Sequence, residues 1–238
     1  MNKKSLFVPL FFLFALTANA QTTSIAETEK YLSDIKNEMK KEWPGNKTIN
    51  LVFHGHSVPS GYFKTPVVNT LESYPYLVLK ELKKLYPFAV INVIITAIGG
   101  ENSSRGAERF EKDVLIHKPD VLFIDYALND RPLGLDKSEK AWESMIQKAL
   151  ESNIKVILLT PTPDQRVNIL EPGNILEQHT NLIKKLAAKF NTGLADSYAI
   201  YKDLAQSGKN IADYMSQVNH PNEKGHQLIA EEIIKYFK

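Results

Sequence analysis

Residues 121–160 read VLFIDYALNDRPLGLDKSEKAWESMIQKALESNIKVILLT. A stretch apolar but for Asp125, Val121 to Tyr126, gives way to a polar loop, then to a stretch of helical periodicity, Lys137 to Glu151, then to a second largely apolar stretch, Lys155 to Thr160. Strands apolar on both faces and joined by an amphipathic helix indicate a parallel sheet covered on both sides. The same alternation continues outward. Upstream, Thr48 to Phe53 is predicted as a strand. Ser73 to Tyr86 is predicted as a helix, with Tyr74, Leu77, Leu79, Leu82 and Leu85 near helical spacing and Pro87 as its stop. Ala89 to Ile98 is β-branched enough to be a fully buried strand, and Ser103 to His117 reads as one helix. Downstream come a helix over Ile175 to Phe190, a short strand over Gly193 to Asp196, and a closing amphipathic helix over Asn222 to Tyr236. A charged surface helix, Ile25 to Trp43, precedes them all and is stopped by Pro44-Gly45-Asn46. The expectation is an α/β fold with a parallel sheet, as one domain over residues 21–238. Two irregular stretches, 57–69 and 161–174, both follow strands, which makes them candidate walls of a site at the carboxyl end of the sheet.

The first twenty residues stand apart. Met1 to Lys4 carries two lysines, Leu6 to Leu16 holds only apolar residues and one proline, and Ala18-Asn19-Ala20 offers small residues where a signal peptidase cuts. This is the layout of a secretory signal over residues 1–20, too short to span a bilayer. Its removal takes two of the 29 basic residues and none of the 27 acidic ones, so the mature chain is formally neutral. A neutral chain gives no reason to expect nucleic acid or an anionic membrane surface as partner. The chain has no cysteine, which excludes disulfides and thiolate metal sites. Export without disulfides suits a bacterial envelope, either periplasmic or secreted. The acceptor-like triplets Asn46-Lys47-Thr48 and Asn102-Ser103-Ser104 carry no weight in such a host.

Four short segments carry the chemistry: Gly55-His56-Ser57, Gly99-Gly100, Ala127-Leu128-Asn129-Asp130 and Asn219-His220-Pro221. The first three each follow an apolar run; the fourth lies just before the last helix. A serine hydroxyl is a poor nucleophile without a base, and His220 is the candidate base for Ser57. The Asn129 amide, the Gly100 N–H and the Ser57 N–H together offer three donors for an oxyanion. Singly, each has a plain reading as a turn or cap residue. Jointly, and in this order at element boundaries, they supply what acyl transfer needs.

These segments resemble the four blocks of the SGNH hydrolases, also called GDSL esterases and lipases, over Asn50 to Ile234. The nucleophile falls on Ser57 within Phe53-His54-Gly55-His56-Ser57, and the oxyanion glycine on Gly100 within Ala97-Ile98-Gly99-Gly100-Glu101-Asn102. The oxyanion asparagine falls on Asn129 after Lys118-Pro119-Asp120-Val121, and the base on His220 within Asn219-His220-Pro221-Asn222. The resemblance implies a flavodoxin-like three-layer α/β/α sandwich of about five parallel strands and hydrolysis of a carboxylic ester without a cofactor. Three positions depart from the family pattern. His56 replaces the acid beside the nucleophile, Ala127 replaces a glycine, and Gln217 replaces the acid three residues before the histidine. That acid orients the imidazole and stabilises the imidazolium. The expectation is a Ser57–His220 dyad with a neutral orienter at Gln217; Asp213 is the alternative orienter.

The leading reading is therefore an exported serine esterase that removes a small acyl group, such as acetyl, from a carbohydrate, with lipid or lysophospholipid esters next. Tyr62, Phe63 and His56 are candidates for lining the acyl or sugar pocket. Two other readings stay open. His54-x-His56 at a strand end, with Asp125 or Asp130, has a spacing that suits a metal-dependent hydrolase. A glycan-binding relative without turnover is motivated by Gln217. Oligomeric state is not legible in the sequence.

Overall fold

The computed structural model describes residues 24–238; the expected signal segment lies outside them. Five strands, β1 (Thr48–Gly55), β2 (Val90–Ile95), β3 (Val121–Asp125), β4 (Lys155–Leu159) and β5 (Gly193–Ala195), form one sheet in the order β2-β1-β3-β4-β5. Every neighbouring pair is parallel. The helices are α1 (Ser33–Met39), α2 (Tyr74–Leu85), α3 (Ser103–Glu108), α4 (Phe110–Asp113), α5 (Leu135–Glu151), α6 (Ile175–Phe190), α7 (Ser197–Gln206) and α8 (Glu223–Ile234).

Side-chain alternation along the strands builds the three layers. Leu51 and Phe53 of β1, Phe123 of β3 and Ile157 of β4 point to one face, where α1, α2, α7 and α8 cover them. Val52, Leu122, Ile124 and Val156 point to the other, against Phe110 and the apolar stripes of α5 and α6. Phe53 and Phe123, adjacent across the β1–β3 ladder, stack with centroids 4.2 Å apart. Gly55 ends β1 where a Cβ would run into the Asp125 carbonyl, so only glycine lets the two strand ends approach this closely.

Three expectations are corrected. Ala89 to Ile98 is not fully buried: β2 is an edge strand, with Val90 49% exposed. Its β-branched composition reports a strand, and nothing in it reports which side lacks a neighbour. The charged N-terminal helix is helical only over Ser33–Met39, with turns before it. Ser103 to His117 is three short pieces, α3, α4 and a 3-10 turn Leu115–His117; the break at Arg109 turns that side chain inward. Helix α7 and a two-stranded hairpin, β6 (Met215–Gln217) with β7 (His220–Pro221), were not expected.

The order 2-1-3-4-5 reverses direction between β1 and β3, and in open α/β sheets ligands bind beyond the carboxyl ends of the strands at that reversal. The loops leaving β1, β2 and β3 carry Ser57, Gly100 and Asn129.

Candidate active site

Ser57 sits in the turn directly after β1. Its carbonyl accepts from Tyr62 N–H (3.0 Å), and the Ser60 hydroxyl donates to the His56 carbonyl (2.9 Å), which fixes the turn. His220 arrives from the other end of the chain on the β6–β7 hairpin. Asn222 caps α8 by accepting from Gly225 N–H (3.2 Å) and donates to the Asp213 carbonyl (2.9 Å), so the histidine is braced on both sides. Across a sequence separation of 163 residues, Ser57 Oγ lies 2.9 Å from His220 Nε2. Both residues are nearly buried, 7% and 6% exposed, at the base of a pocket of about 360 Å3.

The far side of the ring departs from the sequence expectation. His220 Nδ1 lies 2.8 Å from the backbone carbonyl of Phe63 and 2.8 Å from Gln217 Nε2. Gln217 Oε1 accepts from Thr65 N–H (3.0 Å). For Ser57 to donate its hydrogen to Nε2, Nδ1 must carry the ring hydrogen, and the Phe63 carbonyl is its acceptor. With its oxygen held by Thr65, the Gln217 amide presents a donor to the same ring atom. A half-turn of the amide would give the ring a second acceptor and leave Thr65 N–H unpaired. Neither arrangement supplies a carboxylate. Asp213 is exposed on the 3-10 turn Ile211–Tyr214 and makes no hydrogen bond to the ring, so the structure does not bring it to the base. Burial lowers the His220 pKa below its usual 6.5; the Phe63 carbonyl opposes this and the nearby His56 adds to it.

The three oxyanion donors line the same pocket as the Ser57–His220 pair. Gly100 adopts φ +77°, a left-handed geometry that favours glycine, and open space surrounds the place of its missing Cβ. The Asn129 side chain donates to the Glu101 carbonyl (3.0 Å), which fixes the amide orientation and leaves its second N–H for a ligand.

Beneath these donors lies a polar network not foreseen in the sequence. The Glu101 carboxylate accepts from Arg109 Nε (2.9 Å) and the Tyr126 hydroxyl (2.7 Å), and Arg109 also donates to the Thr96 carbonyl (2.7 Å). His54 lies 2.9 Å from Thr96 Oγ1, 3.2 Å from the Gly106 carbonyl and 3.1 Å from Tyr126 Oη. The network ties the ends of β1, β2 and β3 to the loop that bears Gly100. Burial raises the Glu101 carboxyl pKa, but Arg109 and Tyr126 outweigh it and hold the group below the usual range. Burial, reinforced by Arg109, pushes His54 down to about 4, so it is neutral at neutral pH. The signal that could have found the network is the pairing of Glu101 with Arg109, of opposite charge, around a short helix.

Of the three candidates for the pocket wall, Tyr62 lies in it, and so does Gln217. Phe63 does not: its ring is buried and stacked on His226, centroids 4.9 Å apart, and only its carbonyl reaches the site. His56 is likewise buried; its Nδ1 accepts from Val58 N–H (3.2 Å) and its Nε2 faces Asp125 Oδ1 at 3.3 Å. With His54 and His56 engaged in separate networks, they do not converge on a shared ligand set. Among the described residues no three His, Asp or Glu side chains cluster in a way that could hold a metal.

A family model described as GDSL-like lipase/acylhydrolase matches residues 53–228, from the strand before Ser57 to the helix after His220. The chain belongs to the GDSL-like lipase/acylhydrolase family. As a member of that family it is a carboxylic ester hydrolase. An acetylxylan esterase of Geobacillus stearothermophilus is 23% identical over 193 residues, covering 76% of this chain and 87% of that one. Solved structures of GDSL relatives share the fold. A two-domain esterase active on acetylated mannans superposes with TM-score 0.72 at 22% identity, covering 90% of this chain and 54% of that one, so the chain spans about half its length. The Geobacillus stearothermophilus acetylxylan esterase structure gives 0.69 at 22% identity, covering 79% of this chain and 94% of its own. A GDSL-like lipase structure from Parabacteroides merdae gives 0.68 at 20% identity, covering 79% and 95%. Among the described residues of this GDSL hydrolase, no helix is long and apolar enough to cross a membrane.

Proposed function

We propose that this chain is an exported serine esterase that removes a small acyl group, most simply acetyl, from a carbohydrate hydroxyl. The observation that carries this reading is the 2.9 Å approach of Ser57 Oγ to His220 Nε2 at the base of a small polar pocket. A dyad at hydrogen-bond distance favours turnover over glycan binding alone. A pocket of about 360 Å3, with Asn129, Gln217 and Asn219 in its wall, suits a short acyl group on a hydroxyl-rich scaffold better than a fatty chain. The acetylxylan esterase relative and the esterase active on acetylated mannans support the same scaffold class.

In this mechanism Ser57 Oγ attacks the ester carbonyl while His220 Nε2 takes its proton. The oxyanion is met by Ser57 N–H, Gly100 N–H and the free N–H of Asn129. Collapse breaks the bond to the sugar oxygen, which leaves with the proton from His220. Water, deprotonated by the same nitrogen, then releases the acid and restores Ser57. Throughout, the Phe63 carbonyl accepts the Nδ1–H.

The direct test is release of acetate from acetylated xylo- or manno-oligosaccharides, set against esters of long-chain acids. Preference for the long-chain esters would sink the proposal. Replacing Asn129 with alanine is expected to lower kcat by on the order of 10²–10³ with little change in KM, because its donor acts on charge that develops only in the transition state. Steady-state kinetics on p-nitrophenyl acetate reads this directly.

The pH profile follows from the orienter. The base works when neutral, so activity rises with pH through the His220 pKa, which burial places below 6.5. Gln217→Glu keeps the length of the side chain, so one oxygen can retain Thr65 N–H while the other accepts from Nδ1. A carboxylate there stabilises the imidazolium, and the acidic limb of kcat/KM is expected to move up by roughly one unit or more. An unmoved limb would mean that residue 217 does not face the ring in solution. Export predicts a mature N-terminus at Gln21, readable by terminal sequencing of secreted material.

A further inference from the structure

The catalytic pocket has a neighbour. A second cavity, also of about 360 Å3, lies between the 161–174 loop and the stretch from the end of α7 to the 3-10 turn Ile211–Tyr214. Gln165 belongs to its wall and reaches back toward the base. Its N–H donates to the Val218 carbonyl (2.8 Å), and its Nε2 donates to the Gln217 carbonyl (3.2 Å). Gln217 and Asn219 line the catalytic pocket. The two cavities are thus separated by one hydrogen-bonded layer of chain, on the side of the active site formed by Gln217 and Asn219.

The lining of the second cavity mixes two kinds of surface. Ile169, Ile211 and the 42% exposed Leu170 give it an apolar patch. Its polar groups keep unused capacity. Asn168 Oδ1 is taken by Leu170 N–H (3.1 Å), which turns its NH2 away from that bond as a donor pair. Gln165 uses one N–H of its amide on the Gln217 carbonyl, which orients the side chain and leaves its Oε1 to accept. The Lys209 ammonium adds three more donors. An apolar patch for the C–H face of a ring, beside donors and an acceptor for its hydroxyls, fits a pyranose and gives a fatty chain no channel.

We propose that this cavity is a glycan subsite, holding a sugar residue of the substrate chain remote from the one that bears the ester. The proposal rests on the carbohydrate-ester reading above. It predicts that the enzyme senses chain length: kcat/KM rises from acetylated mono- and disaccharides to longer acetylated oligosaccharides, as the second cavity fills.

The test pairs two variants with two substrate types. Removing both donors in an Asn168→Ala/Lys209→Ala variant is expected to lower kcat/KM on long acetylated oligosaccharides about three- to tenfold, as a rise in KM. Ala212→Trp, which fills the cavity without removing a donor, is expected to give the same selective loss. Both variants should match the parent on p-nitrophenyl acetate. Variants that keep the parent's length profile overturn the subsite, as do variants that lose activity equally on both substrate types. A parent that hydrolyses p-nitrophenyl acetate but no acetylated oligosaccharide overturns the carbohydrate reading, and the subsite with it.

Discussion

Ser57→Ala is expected to lower kcat by roughly 10⁵-fold or more, the scale seen when a catalytic serine is removed from a well-formed site. Binding should survive. The Ser57 N–H, Gly100 and Asn129 stay in place, and alanine fits a turn whose conformation rests on backbone bonds to Tyr62 and on Ser60. The residual rate should equal that of the His220→Ala variant, and the double variant should be no slower, because the two residues act as one unit. Urea unfolding should show the same midpoint as the parent. A Ser57→Ala protein that keeps substantial turnover of p-nitrophenyl acetate would remove Ser57 from the chemistry.

The second large effect is on stability. Arg109→Met is expected to destabilise the protein by about 3–5 kcal/mol, because it leaves the Glu101 carboxylate buried without its cation. Glu101 is 5% exposed, and Tyr126 alone cannot replace a guanidinium that also bonds the Thr96 carbonyl. Activity should fall further than the folded fraction, since the Glu101 carbonyl holds the Asn129 amide. The double variant Glu101→Gln/Arg109→Met removes the stranded charge and should recover part of the stability. Denaturant titration of the parent and both variants, with kcat measured on the folded fraction, separates the two effects. If Arg109→Met alone unfolds no more readily than the parent, the pair is not desolvated as described.

Which parts of this were legible in the sequence follows from what a sequence carries. The parallel sheet was legible because β1, β3 and β4 are buried on both faces and so read as apolar runs. The edge position of β2 was not, because its residues match those of a central strand. Helix 103–117 was misread as continuous because its apolar spacing survives the break at Arg109. That break exists to turn a charge inward, a tertiary requirement with no local signature. Ser57, Gly100, Asn129 and His220 were legible through their positions after strands and before the last helix, and the structure gathers all four about one pocket. Phe63 was noticed for the wrong atom. A side-chain reading made it an aromatic wall, whereas the ring packs on His226 and the main-chain carbonyl faces the base.

That carbonyl has an evolutionary consequence. An orienting carboxylate is one codon away from loss, and any family member that uses one can be disabled by a single replacement there. Here the corresponding acceptor is part of the main chain, which every amino acid carries, so no substitution at residue 63 can delete it. Mutational sensitivity is displaced from the identity of one acid to the path of a loop. Inactivating changes behind the base should therefore be found among residues that shape the backbone between Tyr62 and Thr65, Gln217 among them through its bond to Thr65 N–H.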